Sequence, residues 1–185
     1  DLRPQFLLIL EGWQSLGIVV IEQEGFEGDD IIGSLSKKLG SEDLDVRIIT
    51  GDRDTLQLVD QYSRVHLTKK GISDMLEVSL DTMPELYGYG PDKVIEMKAL
   101  MGDSSDNIPG VPGVGEKTAL KLINEYGNLE GVYENIDSIS GKKLKERLVE
   151  NKDLAFLSRT LATIKTDMPL KENAEDFVIH YHASE

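Results

Sequence analysis

Seven carboxylates stand in three short segments of the sequence, each close to a glycine. They are Glu27, Asp29 and Asp30 in the first segment, Asp52 and Asp54 in the second, and Asp103 and Asp106 in the third. Carboxylate oxygens are the ligands that Mg²⁺ and Mn²⁺ prefer. If the three segments converge, their negative charges repel one another strongly unless divalent cations neutralise them. The pattern therefore predicts a divalent-metal site.

Each acidic segment also has a structural interpretation, which the residues alone leave open. Asp29 and Asp30 could simply favour the dipole of a helix that begins beside them. Asp52 could cap a short helix at Thr55, and Asp103 could form an Asx-type turn with the serines that follow it. Taken one at a time, the segments do not decide between a metal site and local structure.

Other metal sites and nucleophilic sites fit the sequence less well. An EF-hand explains Asp52 and Asp54 poorly, because Gln57 and Ser63 stand where that loop needs glycine and glutamate. The chain has no cysteine, which excludes a cysteine nucleophile. The three histidines lack the spacing of a metal site or a catalytic triad and are more typical of surface or strand positions; they are His66, His180 and His182.

A glycine-rich segment, residues 108–120, leads directly into an amphipathic helical pattern. Glycines let a backbone approach a polyanion closely, and the free N–H groups at a helix start point towards phosphate. Lys117 and Lys121 are four residues apart and lie on one helix face, where they add positive charge. The alternative is a packing corner with solvated lysines. Beside an acidic cluster, the phosphate-binding interpretation is favoured.

The elements that must position these residues follow from the hydrophobic pattern. Residues 5–15 have apolar residues at helical spacing, including Trp13, which is predicted to lie in the core. Further helices are predicted at 29–39 and 55–59, and strands at 18–21, 46–50, 64–68 and, as an extended stretch, 72–78. Strands separated by helices indicate an α/β fold with a mostly parallel sheet. Ligands then bind beyond the carboxyl ends of the strands, where two of the acidic segments lie.

Composition sets the limits for these interpretations. The 185 residues, with a mass of 20.6 kDa and no cysteine, are enough for a core without disulfides, and no apolar run is long enough for a membrane helix. The net charge of −14 argues against a nucleic-acid partner at first sight. However, residues 1–105 carry 10 basic and 20 acidic groups, residues 106–165 carry nine of each, and residues 166–185 carry one and five. We therefore predict an α/β core over 1–105, a helical unit over 106–165 and a C-terminal linker over 166–185.

Four segments, in order along the chain, resemble the 5′-3′ exonuclease domains of bacterial DNA polymerase I, which belong to the flap endonuclease family of structure-specific 5′ nucleases. These segments are residues 25–33 (GFEGDDIIG), 50–54 (TGDRD), 67–74 (LTKKGISD) and 101–115 (MGDSSDNIPGVPGVG). The resemblance covers about residues 1–165. It implies a twisted, mostly parallel sheet with flanking helices, like that of the PIN and flap-nuclease folds, followed by an all-α helix-hairpin-helix subdomain.

The resemblance also implies roles for the acidic residues. The family hydrolyses phosphodiesters with two or more metals, Mg²⁺ or Mn²⁺, which lie about 3.5–4 Å apart, activate water and stabilise the transition-state oxygens. The metal nearer the attacking water would be held by Glu27, Asp29 and Asp30. The second metal would be held, directly or through waters, by Asp52, Asp54, Asp103 and Asp106.

The helix-hairpin-helix element of the family corresponds to residues 106–126. The resemblance implies that it grips duplex DNA through the amides of Gly113 and Gly115 and that a K⁺ ion is held by hairpin carbonyls. The neighbouring DNA-binding residues are Lys117, Thr118 and Lys121. The basic run at 142–147 either extends this duplex track or is a solvated helix face.

The family resemblance implies partners as well. The expected substrate is DNA with a 5′ flap, a nick or an RNA-primed end, and the expected setting is a monomeric nuclease joined to polymerase domains, cytoplasmic and associated with the bacterial nucleoid. The family's first strand, its catalytic Asp, a second metal-binding Asp and the arch that threads the flap would all precede Asp1. We therefore expect this chain to bind duplex and metal weakly and to cleave poorly. The alternatives are a non-catalytic duplex-binding module and a stand-alone 5′ nuclease.

Overall fold

A computed structural model describes residues 3–69 and 74–179 of the chain. Its regular elements comprise three strands and eight α-helices in the described residues. They are α1 (Arg3–Ser15), α2 (Gly28–Leu39), β1 (Val46–Thr50), β2 (Ser63–Thr68), β3 (Met75–Val78), α3 (Met83–Tyr87), α4 (Val94–Met101), α5 (Glu116–Tyr126), α6 (Leu129–Glu134), α7 (Lys142–Glu150) and α8 (Lys152–Ala162). Short 3₁₀ turns lie at Arg53–Leu58, Pro91–Lys93, Ile136–Ser138 and Ala174–Phe177.

The strands form one small sheet in the order β1-β2-β3. β1 and β2 are parallel, with Val46 opposite Ser63 and Thr50 opposite Leu67, as the α/β pattern predicts. β3 is antiparallel to β2, because the short connection from Lys69 to Asp74 can close a hairpin but cannot carry a crossover. Of the residues predicted to be extended, Ile72 and Ser73 lie outside the described part of the chain.

The α/β part buries one face of this sheet. Ile48, Val65, Leu67 and Val78 alternate with more exposed residues along their strands, as expected when only one face is covered. They pack with a second group from the 3₁₀ turn and the following helices. That group consists of Leu56, Leu58, Val59, Met83 and Val94. This core places the carboxyl end of β1, and therefore the second acidic segment, beside α2 and α4.

The helical unit has a separate core, to which α4 contributes as well. Met97, Ala99 and Leu100 of α4 pack against hairpin and helix residues that come later in the chain. Those residues include Val111, Val114, Ala119, Leu122, Ile123, Leu129, Val132, Leu148 and Ala155. The division at residue 105 stays a prediction. The packing shows that α4 contributes to the core of the helical unit and connects the two parts.

Two local predictions in the first 21 residues are wrong. Residues 18–21 form no strand and no β-bridge with the described strands, and Ile18 and Val19 are exposed. An apolar run becomes a strand only when a neighbouring strand takes up its backbone hydrogen bonds, and the described part of the sheet offers none here. Trp13 is 46% exposed rather than in the core, because the apolar residues of α1 meet neither of the two clusters.

The residues after α8 run back along α2. Lys38 Nζ donates to the carbonyls of Leu170 and Glu172 at 2.9 and 2.7 Å, and the N–H of Met168 donates to Ser34 Oγ at 3.1 Å. Gly33 permits this close approach, since a side chain there would collide with Ile164. The linker predicted over 166–185 stays a prediction, but hydrogen bonds join its first residues to α2 of the α/β part. Within the described residues, no helix combines the length and apolar character that crossing a membrane requires.

Candidate metal centre and nucleic-acid interface

The second acidic segment lies where the polypeptide leaves the carboxyl end of β1. Asp52 precedes the 3₁₀ turn, and its Oδ1 accepts a hydrogen bond from the N–H of Asp54 at 2.9 Å. The N–H of Asp52 in turn donates to Thr50 Oγ1 at 3.0 Å. Asp52 is therefore a cap, as its structural interpretation predicts, and this cap orients Asp54 towards the helices of the following unit.

The first acidic segment lies at the start of α2. Asp30 accepts two backbone hydrogen bonds, from the N–H of Glu27 at 3.4 Å and from the N–H of Lys165 at 2.9 Å. The second of these bonds joins the helix start to the segment after α8. Asp29 and Asp30 also lie in the first turn of the helix, where the dipole favours negative charge. Asp30 is thus held in place from two sides.

The third acidic segment is a tight loop between α4 and the hairpin. Asp103 and Ile108 exchange two backbone hydrogen bonds of 2.8 Å, which close the loop. The loop is flanked by Gly102 and Gly110, which both have positive φ angles and are in contact, and a Cβ on Gly102 would lie 2.6 Å from the carbonyl oxygen of Ile108. Asp103 Oδ1 accepts from the N–H of Ser105 at 2.9 Å, so the predicted Asx-type turn is present.

The three segments meet around two adjoining cavities. The first cavity, of about 310 Å³, is lined by six of the seven predicted carboxylates, namely Glu27, Asp29, Asp30, Asp52, Asp54 and Asp106. The second, of about 530 Å³, is lined by Asp52, Asp54, Asp103 and Asp106. Ligand oxygens of Asp54, Asp103 and Asp106 all lie within 4.8 Å of one another. This donor set of carboxylates alone fits a hard divalent cation such as Mg²⁺ or Mn²⁺.

Sequence reasoning missed Lys98, which lies at the centre of this cluster. Its side chain is only 6% exposed, and its Nζ contacts Asp54, lies 2.8 Å from Asp103 Oδ2 and 3.8 Å from Asp106 Oδ2. A buried lysine is rare unless it is paired with acidic groups. The signal in the sequence is that Glu96 and Lys98 interrupt an otherwise largely apolar helix, VIEMKALM. Lys98 therefore supplies one positive charge to three converging carboxylates.

The ionisation of these groups reflects their crowding. Burial raises the pKa of Asp54 to about 6, although Lys98 opposes the shift. The hydrogen bonds from Lys98 and Ser105 lower the pKa of Asp103 to about 2. Burial, reinforced by the negative charges of Asp52 and Glu27, raises the pKa of Asp29. Burial disfavours the charge of Lys98, but its bonds to Asp103 and Asp54 prevail and raise its pKa. The site holds more negative charge than Lys98 alone can balance.

Gln57 is a second residue that sequence reasoning does not assign to the site. Its Nε2 donates to the carbonyls of Asp54 and Ala162, both at 2.9 Å, and its Oε1 accepts from the N–H of Ile164 at 2.9 Å. One side chain thus joins the turn that carries Asp54 to the end of α8 and the segment beyond it. In the sequence, Gln57 is notable only because it stands where an EF-hand loop would need a glycine. Its hydrogen bonds to distant backbone groups leave no local pattern that would reveal its role.

The five predicted DNA-binding residues lie together at the start of α5. Gly113, Gly115, Lys117 and Lys121 are exposed and Thr118 is half-buried. In the described part of the chain, no hydrogen bond takes up the N–H of Gly113 or of Gly115. Two hydrogen bonds hold the hairpin against α4 and α8. The N–H of Val111 donates to the carbonyl of Leu100 at 2.8 Å, and the N–H of Gly110 donates to Ser158 Oγ at 2.9 Å. These amides are therefore available to an anion on a rigid support.

Two family profiles together match the whole chain. Residues 1–88 match the profile described as 5′-3′ exonuclease, N-terminal resolvase-like domain. Residues 89–185 match the profile described as 5′-3′ exonuclease, C-terminal SAM fold. The second profile begins before α4, which agrees with the packing of that helix in the core of the helical unit.

Similar proteins of known sequence are bacterial DNA polymerases I. The chain is 46% identical over 181 residues to DNA polymerase I of Lactococcus lactis subsp. cremoris, which covers 97% of the chain and 21% of that protein. It is 47% identical over 171 residues to DNA polymerase I of Bacillus subtilis, which covers 92% of the chain and 19% of that protein. The chain spans about a fifth of the length of these curated relatives.

Solved structures with the same fold include T5 5′-exonuclease and Rad2. A structure of T5 5′-exonuclease with bound zinc ions is 28% identical, with a TM-score of 0.66 over 79% of this chain and 53% of that one. The catalytic core of Rad2 with a DNA substrate is 21% identical, with a TM-score of 0.58 over 86% of this chain and 56% of that one. The second likeness concerns the fold alone.

Proposed function

Since this chain belongs to the 5′-3′ exonuclease family, we propose that it forms the nuclease part of a bacterial DNA polymerase I and hydrolyses DNA phosphodiesters as a divalent-metal-dependent 5′-3′ exonuclease and 5′ flap endonuclease. The observation that carries this proposal is the convergence of three distant acidic segments around Asp54, Asp103 and Asp106. The hairpin that follows in the chain adds the amides of Gly113 and Gly115, which have no hydrogen-bond partner among the described residues. Neither feature is required by the packing of the cores, which consist of apolar residues.

The carboxylates divide into two neighbouring groups that suit two cations. Glu27, Asp29 and Asp30 would hold one divalent ion, and Asp52, Asp54, Asp103 and Asp106 a second, with Asp52, Asp54 and Asp106 lining both cavities. Mg²⁺ or Mn²⁺ bound there would supply Lewis acidity to the phosphodiester and lower the pKa of attacking water. The chain's own contribution is to hold the carboxylates rigidly, through the cap at Asp52, the two bonds to Asp30 and the closed loop at Asp103.

The hairpin would bind the duplex next to the cleaved strand. The N–H groups of Gly113 and Gly115, which have no acceptor among the described residues, would donate to phosphate, and the exposed Lys117 and Lys121 would add positive charge nearby. A K⁺ ion at the hairpin carbonyls belongs to the same proposal, although Gly113 O already accepts a hydrogen bond from Arg147 at 3.3 Å. The substrate would be DNA with a 5′ flap, a nick or an RNA-primed end, bound by a monomer that acts at the bacterial nucleoid.

Cleavage of a labelled flap tests this proposal. The natural full-length protein should release the 5′ flap in Mg²⁺ and lose the activity in EDTA. Asp54→Asn and Asp103→Asn should each reduce the rate by at least about 100-fold, because the metal cluster then has one ligand fewer. Asp45→Asn is the matched control, since Asp45 pairs with Arg47 and Arg64 on the sheet, away from the cavities. If all three variants cleave as fast as the parent, the site assignment is wrong.

A second candidate function is a duplex-binding module without catalysis. It is favoured by the observation that several of the carboxylates already have structural partners, including the cap at Asp52 and the turn at Asp103. Titration with Mn²⁺, followed by its electron paramagnetic resonance signal, separates the two. Saturable binding that Asp54→Asn abolishes supports the nuclease. No binding at millimolar Mn²⁺, with duplex affinity retained, supports the binding module.

A further inference from the structure

The side chain of Gln57 joins the turn after β1 to the residues at which α8 ends. Its Nε2 donates to the carbonyls of Asp54 and Ala162, and its Oε1 accepts from the N–H of Ile164, all at 2.9 Å. The side-chain amide therefore uses its donor and its acceptor together, on backbone groups up to 107 positions away. An ionised carboxylate at this position could not donate, and a lysine could not accept.

The backbone that Gln57 holds is also held by α2. Residues 162–165, the end of α8 and the three residues after it, form the exit segment. The N–H of Lys165 donates to Asp30 Oδ1 at 2.9 Å. A Cβ on Gly33 would lie 2.8 Å from Ile164 Cγ2 and 3.0 Å from the carbonyl oxygen of Lys165, so α2 packs against the exit segment without a gap. The exit segment is thus clamped between α2 and the turn after β1.

The exit segment lies between two groups of carboxylates. Its residues 162–164 line the first cavity together with the carboxylates of α2 and of the turn. Within the described part of the chain, no hydrogen bond joins residues 27–30 directly to residues 52–54. The hydrogen-bonded path between these two acidic segments runs instead from Asp30 through the exit segment to Gln57 and the turn. This path ties the position of one acidic segment to that of the other.

We propose that Gln57 is a positioning residue of the metal centre, which sets the spacing between the carboxylates at the start of α2 and those after β1 through the exit segment. The proposal rests on the proposed function, because it concerns cations held by these two groups. Paired cations act together at a separation of about 3.5–4 Å, and a misplacement of about 1 Å can cost about 100-fold in rate. A residue that fixes the spacing therefore affects the reaction without touching either cation.

The spin coupling of bound Mn²⁺ tests the spacing directly. Two Mn²⁺ ions bound close together couple their electron spins and lose the hyperfine pattern of an isolated ion, which electron paramagnetic resonance of the natural full-length protein detects at saturating Mn²⁺. Gln57→Met keeps the length of the side chain but removes its hydrogen bonds. We expect this variant to lose the coupled signal and to bind one of the two ions about 10–100-fold more weakly by isothermal titration.

The kinetics of flap cleavage give a second readout. In Gln57→Met, kcat should fall by about 10–100-fold, because the cations are held at the wrong spacing. The KM for the flap should stay the same, since the hairpin is unchanged. A purely structural role of Gln57 would lower the melting temperature but would leave the spectrum and kcat of the folded protein as they are in the parent.

Two further variants complete the test. Gly33→Ala pushes on the exit segment from α2 without removing a polar group, and it should also reduce the coupled signal. Gln61→Met is the matched control, because Gln61 is an exposed glutamine near the same turn whose side chain forms no hydrogen bond among the described residues. It should leave the signal, the affinities and kcat unchanged. A thermal melt in EDTA establishes that each variant is folded at the assay temperature, and Gly33→Ala decides the test if Gln57→Met is not.

The outcomes separate this inference from the proposed function. A folded Gln57→Met protein with the coupled signal and both Mn²⁺ affinities of the parent overturns the inference and leaves the proposed function intact. A parent that cleaves the flap but shows no coupled signal at saturating Mn²⁺ also overturns the inference alone. A parent that neither binds Mn²⁺ nor cleaves the flap overturns both.

Discussion

The acidic edge, formed by the seven carboxylates, and the hairpin face, formed by residues 113–121, are both suited to a phosphate backbone, but they have opposite requirements. At the acidic edge the polar groups are side chains of like charge that the fold brings together, and one of them, Asp54, has its pKa raised to about 6 by burial. At the hairpin face the polar groups are exposed backbone amides with two lysines beside them. The first surface repels phosphate until cations arrive, whereas the second can attract it at once.

This difference shows why the overall charge of −14 is a poor guide to the ligand. Most of the excess negative charge lies before residue 106, in the part that carries most of the carboxylate cluster. The helical unit has equal numbers of acidic and basic residues and can hold a polyanion through local geometry. If the hairpin binds duplex as proposed, it can do so without metal, whereas the acidic edge needs a divalent cation before it can accept a phosphate.

The largest effect is expected at Lys98, the internal cation of the acidic edge. Lys98→Met should lower the free energy of unfolding in metal-free buffer by about 3–5 kcal/mol, because removal of one partner leaves buried carboxylates unpaired. Millimolar Mn²⁺ should recover much of this loss, since the ion replaces the missing positive charge. Urea unfolding with and without Mn²⁺ measures both quantities.

The control for Lys98 is an exposed lysine of the same part of the chain. Lys37→Met removes a surface pair at 3.7 Å and should cost less than about 1 kcal/mol in either buffer. An equal loss in Lys98→Met with and without Mn²⁺ would contradict the view that Lys98 and the metal neutralise the same carboxylates.

The next effect separates the two surfaces directly. Asp54→Asn should reduce Mn²⁺ affinity by at least about 100-fold, measured by isothermal titration, because Asp54 is one of three clustered ligands. The affinity of the Asp54→Asn variant for blunt duplex in EDTA should equal that of the parent, because the hairpin face is a separate surface. Loss of duplex binding in this variant would mean that the two surfaces are not independent.

A smaller effect is expected at the hairpin. Gly115 has an ordinary φ, and a Cβ there would meet no atom within 4 Å, so Gly115→Ala causes no collision and should cost less than about 1 kcal/mol, the penalty of alanine at the N-cap of α5. The added methyl group would hold phosphate away from the amides and weaken duplex binding about tenfold, or ~1.4 kcal/mol. Gly12→Ala in α1 is the control, because its Cβ also enters open space. Equal duplex affinity for parent and Gly115→Ala would argue that the duplex does not approach this backbone.

The smallest effect concerns an ion pair remote from both surfaces. Arg159 Nη2 lies 2.6 Å from Glu130 Oε1, and this bond lowers the pKa of Glu130 below its ordinary value. Because the pKa of Glu130 in the folded protein lies below its ordinary value, the ion pair stabilises the fold fully at a pH above the ordinary pKa. This stabilisation is lost as the pH falls through the pKa of the folded protein. Glu130→Gln should therefore cost less than about 1 kcal/mol near neutral pH and nothing in strong acid. A cost that persists unchanged at about pH 2 would show that packing, not charge, is responsible.

Much of the candidate site was predictable because its residues carry local patterns. The seven carboxylates line two adjoining cavities, and the hairpin residues lie together at a helix start. Sequence reasoning did not place Lys98 and Gln57, and each of these residues bonds to a partner at least 44 positions away. A lysine in an apolar helix or a glutamine in a turn has no pattern that identifies a distant partner.

The errors have the same origin. The run at 18–21 has the composition of a buried strand, and the spacing around Trp13 is that of a core helix, yet neither is covered by the described residues. Composition reports that a segment can be buried, whereas burial itself depends on a neighbouring surface. Similarly, the antiparallel direction of β3 follows from the short connection before it and not from its apolar residues.

By itself the sequence indicated the ligand chemistry, since its acidic segments offer carboxylate oxygens to a metal and its hairpin offers glycine amides and lysines to phosphate. It also indicated the order of most of the elements that carry these groups. Only the tertiary structure decided that three segments up to about 80 residues apart share two cavities, that a buried lysine balances part of their charge, and that α7 borders the hairpin. The physical reason is that residue type is a local property of the sequence. Repulsion between the carboxylates, its neutralisation by Lys98 and the access of a ligand to the hairpin depend instead on distances, which the packing of the two cores sets.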